Sequence, residues 1–232
     1  MIQSNYLPWR GYFDFIDDVD LFILYDDVQY TRRDWRNRNR IRLPDGPVWL
    51  TVPVTFSRSA PTLIKETEIC YQNDWIREHV RSLTSAYRRA PYFERYAPSL
   101  FEILSMRHKT ISELNCALIH RISEALDIHT PIRMSHDYEG RGIKTDRIID
   151  ILKKTKATHY LVGPAAKDYI EEGKFENQGI TLEYKSYDYP EYPQMHGRFE
   201  PNLSIVDLLF NCGPESREYL KSRIPNRTAA AA

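Results

Sequence analysis

Long apolar runs are missing from this 232-residue sequence. The longest candidates, Leu21 to Tyr25 and Ile205 to Phe210, fall far short of the roughly 20 residues a membrane span requires. No membrane span is expected. An excess of charge of one sign is also missing, since Lys+Arg and Asp+Glu are both 32. Broad electrostatic binding of nucleic acid is therefore not the default reading, although a local basic patch remains open. Cysteine is scarce. Cys70, Cys116 and Cys212 are far apart and form no CxxC pair, which fits a reducing compartment better than a disulfide framework. The N-terminus lacks a basic region followed by an apolar stretch, so no secretory signal is read and a cytoplasmic protein is expected. His79, His108, His120, His129, His136 and His159 show no metal-ligand spacing, so neither a metal site nor a cofactor is expected.

What is present is enough for a core: 42% hydrophobic residues against 28% charged. The length suggests one domain. Gly11 to Val19 reads as a short helix. Asp20 to Tyr25 reads as a buried strand ending in Asp26-Asp27, and carboxylates there are typical of the working edge of an α/β sheet. Arg38 to Arg42 and Val48 to Val54, joined through Asp45-Gly46, read as a hairpin. The middle is helical: Asp74 as N-cap of Trp75 to Arg89, then Pro98 to Lys109, then Ile111 to Leu126. Strands at Ile132 to Ser135, His159 to Gly163 and Ile180 to Tyr184 alternate with helices at Lys144 to Lys154 and Ala165 to Ile170. This alternation predicts an α/β fold with a mostly parallel, Rossmann-like sheet. It occupies one domain over 1–228, with 74–127 as a helical insert or subdomain and 229–232 as a tail.

Four clusters could carry chemistry. Gln3, Asn5, Tyr6, Trp9 and Tyr12 lie in a loop running into the first helix, where free N–H groups attract anions. The loop resembles the phosphate-binding loop of Rossmann-like nucleotidylyltransferases, which use two histidines around a glycine. Trp9 and Tyr12 stand in their places, which argues against adenylyl transfer. The alternative is a Pro-Trp corner packed on the core.

The second cluster is Asp26 and Asp27 with Trp35, Asn37, Arg38 and Arg40. Five arginines, two asparagines and a tryptophan fall within Arg32 to Arg40. Arg grips phosphate through a planar fork, and interleaved Trp stacks a base or sugar. This favours a phosphorylated or nucleotide-linked ligand. Exposed arginines paired with Asp26, Asp27 and Asp34, or an RNA-binding surface, are the alternatives. Gly163, with Lys144 and Arg147 opening a helix, forms a third cluster able to clamp an anion. The fourth centres on His196, a proton-transfer candidate by its ordinary pKa, with Asp207 and Asn211 one helical turn apart. Ser204 reads as the N-cap of that helix.

Together these motifs carry a resemblance. Asn-Tyr-Leu-Pro-Trp-Arg-Gly-Tyr-Phe at 5–13, Asp-Asp-Val-Gln-Tyr at 26–30, Trp-Arg-Asn-Arg-Asn-Arg-Ile at 35–41 and Trp-Leu-Thr-Val-Pro-Val at 49–54 resemble the WbqC-like protein family. So do Lys-Thr-Asp-Arg at 144–147, Tyr-Leu-Val-Gly-Pro-Ala-Ala at 160–166 and the stretch from Phe199 to Gly213. The family usually has a Pro after the first Gln and a fuller strand before it. Here Ser4 stands for the Pro and Met1-Ile2 precede Gln3, so a shortened first strand is expected. The resemblance implies a role in bacterial surface-polysaccharide (O-antigen) biosynthesis, beside enzymes that make amino sugars.

The reading that joins residues and resemblance is a transferase acylating or aminoacylating the amino group of a nucleotide-activated amino sugar. The arginines and Lys144 would hold the diphosphate, Trp35 or Trp9 would stack, and His196 with Asp207 would move the proton. Its partners would be a nucleotide-linked sugar, or another phosphorylated small molecule, and a carrier-bound acyl or aminoacyl donor. The alternatives are a non-catalytic sugar-nucleotide or RNA-binding module and a degenerate nucleotidylyltransferase.

Overall fold

The structure is a computed structural model and describes residues 1–57 and 59–229. Helix α1 (Arg10–Asp17) opens the chain. Tyr12, Phe13, Phe15 and Ile16 bury its apolar face, and Gly11 lies so tightly under the Trp9 indole that a Cβ there would collide with the ring. Strand β1 (Phe22–Leu24) is wholly buried. Ile2 lies parallel to it, its N–H donating to the Ile23 carbonyl at 3.1 Å and its carbonyl accepting from Tyr25 N at 2.9 Å. On the other edge β1 pairs in parallel with β4 (Ile132–Met134), Phe22 facing Ile132.

Strands β2 (Arg38–Leu43) and β3 (Gly46–Thr51) form the expected antiparallel hairpin, with Arg38 opposite Thr51 and Arg40 opposite Trp49. The strand period of two turns Asn39 and Ile41 inward and leaves Arg38, Arg40 and Arg42 half-exposed on the other face.

Three helices follow: α2 (Trp75–Tyr87), α3 (Phe93–Ser105) and α4 (Ile111–Ala125). Asp74 sits at the α2 N-cap without making a side-chain capping bond. Helix α3 begins five residues before Pro98, the expected start. Phe93, Tyr96, Ala97, Leu100 and Leu104 all bury on one face, and that packing outweighs the one helical hydrogen bond Pro98 removes. Helix α4 is set by a complete capping box between Thr110 and Glu113.

Next come α5 (Lys144–Lys154), β5 (His159–Val162), the short α6 (Glu172–Glu176) and β6 (Thr181–Tyr184). The helix expected at Ala165 to Ile170 is a 3-10 turn over Pro164–Asp168. Helix α7 (Ile205–Cys212) starts at Ser204, whose hydroxyl accepts from Val206 N, and β7 (Arg227–Thr228) closes the described chain. Of the tail read over 229–232, residues 230–232 lie outside the described residues.

The fold is mixed α/β, with the strands distributed over three small sheets: β1-β4, β2-β3 and β5-β6-β7. The β5-β6 pair is parallel and β6-β7 antiparallel. The sequence predicts one mostly parallel sheet. In the structure β1 and β4 are only three residues long and belong to a different sheet from β5. The apolar residues form two cores. The larger holds α1, β1, the hairpin, α2 to α4 and α7, and the smaller joins Ile149, Tyr160, Val162, Phe175, Leu182 and Tyr184 around β5 and β6.

Candidate functional site

The candidate residues fall into two groups. The first gathers at the carboxyl ends of the parallel strands. Asp26 is fully buried; its carboxylate accepts from Ser4 N at 2.7 Å and from the Ser112 hydroxyl at 2.5 Å. Asp27 accepts from the Ser135 hydroxyl and pairs with Arg147, whose guanidinium lies 5.7 Å from the Tyr25 ring centre. Arg36 donates to the Asn5 side chain and, at 3.2 Å, to Gln3 Oε1, with Asp34 at 3.5 Å. The Tyr12 hydroxyl donates to the Gln3 carbonyl, and Tyr6 meets His79 Nδ1 at 2.8 Å. Trp9 stands edge-on to Tyr187 and Tyr189 at 5.2 and 5.6 Å. Gly163 faces the same wall: a Cβ there would lie 2.8 Å from the Tyr187 hydroxyl. Lys144 is exposed at the start of α5. Both aspartates and both arginines of this group thus hold loops and strands to one another.

The second group is a ladder on the hairpin's outer face. Arg38, Arg40 and Arg42 succeed one another there, spanning about 13 Å at roughly 3.3 Å per residue. Inward-facing Asn37 and Asn39 donate to the Val52 and Leu7 carbonyls, both at 2.7 Å, which fixes the strand beneath. Arg38 and Arg40 lie 4.3 and 5.7 Å from the Trp49 ring centre. Trp35 packs on Trp49 at 5.4 Å, and these indoles are 41% and 46% exposed. A cleft of about 340 Å³ opens beside Arg38, lined by Arg32, Arg33, Tyr30 and Phe56. The Arg32 guanidinium lies over Phe56 at 5.1 Å. Among the described residues no carboxylate pairs with Arg32, Arg33, Arg38 or Arg42; Nε of Arg38, Arg40 and Arg42 is buried without a hydrogen-bond partner. Arg40 is tempered by Glu200 at 3.5 Å and the Asn202 carbonyl at 3.0 Å, and Arg38 donates to the Arg33 carbonyl. Planar cations and aromatic faces on one rigid hairpin suit a phosphate joined to a flat ring.

The far end of the ladder meets the His196 loop. Gly197 takes φ +60°, and a Cβ there would collide with the Arg42 guanidinium. His196 Nε2 lies 3.0 Å from the Ala86 carbonyl. A carbonyl only accepts, so Nε2 is the donor of this bond, which leaves Nδ1 without a hydrogen-bond partner among the described residues. Asp207 does not hydrogen-bond His196. It is buried and accepts from the Tyr87 and Tyr192 hydroxyls at 2.8 and 2.9 Å, and burial lifts its carboxyl above the ordinary range. The Tyr87 hydroxyl in turn accepts from Arg42 N at 2.9 Å, and Asn211 donates to the Asp207 carbonyl at 2.7 Å.

Arg42, Trp49, Tyr87 and Tyr192 are not among the residues singled out from the sequence. The alternation Arg38-Arg40-Arg42 carries a readable signal for Arg42, and the hairpin register one for Trp49. Nothing local marks Tyr87 or Tyr192. Another unmarked residue is Arg10, which is buried beneath the rings of Tyr189, Tyr192 and Phe199 at 5.0, 5.2 and 5.7 Å and donates to the Pro190 carbonyl at 2.6 Å.

Among the described residues no three His, Cys, Asp or Glu side chains gather as metal ligands, and no helix is long and apolar enough to cross a membrane. The family model of the WbqC-like protein family matches residues 3–219. The sequence is 44% identical over 223 residues to Uncharacterized protein Rv1507c of Mycobacterium tuberculosis (strain ATCC 25618 / H37Rv), covering 95% of this chain and 96% of that one. No solved structure matches.

Proposed function

Since the chain belongs to the WbqC-like protein family, we propose that it is a transferase of surface-polysaccharide assembly, acting in the cytoplasm on a nucleotide-activated amino sugar. The observation that carries the reading is the hairpin ladder, where Arg38 and Arg40 lie over the exposed Trp49 indole, itself packed on the exposed Trp35. Arg38 and Arg40 take the diphosphate, and Trp35 and Trp49 stack the base or sugar face. His196 Nδ1 accepts the proton of the sugar's amino group as that nitrogen bonds to the carbonyl carbon of an acyl or aminoacyl donor, whose carrier leaves. Asp207 acts only through packing, holding Tyr87 and hence the Arg42 backbone in place. In the same proposal, the parallel pairs β1-β4 and β5-β6 are parts of one Rossmann-like arrangement, with Asp26, Asp27 and Gly163 at its carboxyl edge.

Calorimetry with a nucleoside-diphosphate amino sugar tests the binding half. Arg38→Ala or Trp49→Ala should weaken binding tenfold or more, about 1.4 kcal/mol per decade, with little change in melting temperature. Unchanged affinity with a lowered melting temperature would make the ladder structural.

One observation favours a second reading, a binding module without catalysis. Asp207 accepts from two tyrosines and makes no hydrogen bond to the imidazole. Tight sugar-nucleotide binding, with no turnover for any acyl donor and no loss on His196→Gln, would select it.

A further inference from the structure

The cleft of about 340 Å³ beside Arg38 is at the small end of ligand sites. Besides its arginines it is lined by Tyr30, Asn37, Thr51 and Phe56.

Two of these side chains are buried yet keep a polar atom without a partner among the described residues. Tyr30 is 3% exposed and Asn37 7%. Asn37 Nδ2 donates to the Val52 carbonyl at 2.7 Å. A carbonyl only accepts, which fixes the orientation of the amide and turns Oδ1 away from Val52. Neither Oδ1 nor the Tyr30 hydroxyl is among the atoms shut off from the surface without a partner, so both open to the cleft that their residues line. Burial pushes the Tyr30 hydroxyl up to about 12, with Arg32 the strongest opposing charge, so it keeps its proton and donates. Phe56 adds a flat face, with the Arg32 guanidinium over it at 5.1 Å and the Tyr30 ring tilted against it at 6.0 Å.

The lining is therefore rich in donors and poor in acceptors. Asn37 Oδ1 is the one side-chain atom there, among the described residues, that only accepts. The guanidinium groups only donate, and the Tyr30 and Thr51 hydroxyls can donate. A flat ring that fits such a wall offers one donor flanked by acceptors. Uracil and thymine have this edge, a carbonyl on each side of N3–H. Cytosine, adenine and guanine each bring an exocyclic amino group, which needs a further acceptor or else faces a guanidinium.

The position of the cleft agrees. Along the hairpin the order is cleft, Arg38, Arg40 with Trp49, Arg42 and then the His196 loop. A nucleotide-activated sugar runs from base to diphosphate to sugar. With the diphosphate on Arg38 and Arg40 and the sugar's amino group at His196, the base falls at the cleft.

With the ladder read as the seat of the diphosphate, on which this step rests, we infer that the cleft takes a uracil or thymine base. Its carbonyls accept from the Tyr30 hydroxyl and an arginine, its N3–H donates to Asn37 Oδ1, and its ring lies against Phe56 and the Arg32 guanidinium. The Trp35 and Trp49 indoles are then left for the sugar face.

Calorimetry on the full chain with UDP, dTDP, CDP, GDP, ADP and inorganic pyrophosphate tests it. UDP and dTDP should bind about tenfold or more tighter than the other three nucleotides and than pyrophosphate. UDP methylated at N3 should lose about tenfold, because the methyl group faces Asn37 Oδ1. That probe leaves the amide's bond to Val52 intact, where a substitution of Asn37 would loosen the hairpin. Tyr30→Phe should weaken UDP about three- to tenfold, leave pyrophosphate unmoved and scarcely shift the melting temperature. Equal affinity for the five nucleotides, a preference for a base with an amino group, or pyrophosphate as tight as UDP would overturn the base assignment and leave the ladder standing as a phosphate site. Equal loss of UDP and pyrophosphate in Tyr30→Phe, or no loss of either, would overturn it too. Absence of binding for every diphosphate would overturn the ladder reading and the base assignment together.

Discussion

Acid should unfold this protein partly through one imidazole. His79 is 4% exposed. Its Nδ1 meets the Tyr6 hydroxyl at 2.8 Å, and Trp75 packs edge-on to the ring at 5.2 Å. Burial holds its pKa down at about 4 against an ordinary 6.5, with a bond to the Thr51 backbone opposing the shift. The folded state therefore keeps His79 neutral where the unfolded chain protonates it. Stability from this group is complete above about pH 6.5 and is lost as the pH falls towards 4. At 1.36 kcal/mol per pKa unit, the shift of about 2.5 units corresponds to roughly 3 kcal/mol. The assay is urea unfolding at pH 7, 6, 5 and 4.5 on the parent and on His79→Gln, which hydrogen-bonds but does not titrate. Carboxylates titrate alike in both chains and cancel in the difference. Between pH 7 and 4.5 the parent should lose about 2–3 kcal/mol more than the variant. Parallel pH profiles would refute the reasoning, because they would mean that the buried ring does not discriminate between its protonation states.

Given a substrate, His196→Gln should lower turnover by about 10²–10⁴ while leaving ligand affinity nearly unchanged; steady-state kinetics beside calorimetry reads both. Asp207→Asn should act mainly on stability, seen as a lower urea midpoint, with a much smaller effect on turnover. Asp26→Ala should destabilise by about 1–3 kcal/mol or more by chemical denaturation, since Ser4 N and the Ser112 hydroxyl lose their shared acceptor in the core. Gly163→Ala should scarcely change stability, because Tyr187 is 44% exposed and can swing aside. It should instead move tryptophan fluorescence by parting Tyr187 from Trp9.

Much of the fold was legible wherever a local rule acts alone. Asp45-Gly46 announced the hairpin, Ser204 the start of α7, and the spacing of Leu114, Leu118 and Ile122 the helix α4. Pro98 misled because a helix-start preference worth little in isolation yields to five side chains entering a core. The strand alternation indicated a parallel α/β arrangement but not which strands share a sheet, since pairing between distant segments leaves no local mark. The same limit governs the sites. The density of arginine pointed to the hairpin, yet Arg36 and Arg147 turned out to brace loops while Arg38 and Arg42 stay free of carboxylates. That division depends on where Asp27 and Asp34 arrive after folding. The buried partners of Asp207 come from segments as much as 120 residues away, and only the folded chain brings them together.

The Tyr87 hydroxyl accepts from the backbone of the arginine hairpin and donates to a carboxylate at the head of α7. Among relatives, that places positions 87, 192 and 207 under joint rather than separate selection. A phenylalanine at 87 strands an acid in the core, so the change is tolerable only where 207 has already lost its charge or changes with it. The hairpin's outer arginines reach no buried acid, Arg40 meeting only the half-buried Glu200 and the Asn202 carbonyl, and are freer to vary. A lineage can therefore change the outer face of the hairpin while the triad beneath it stays fixed or is replaced as a unit.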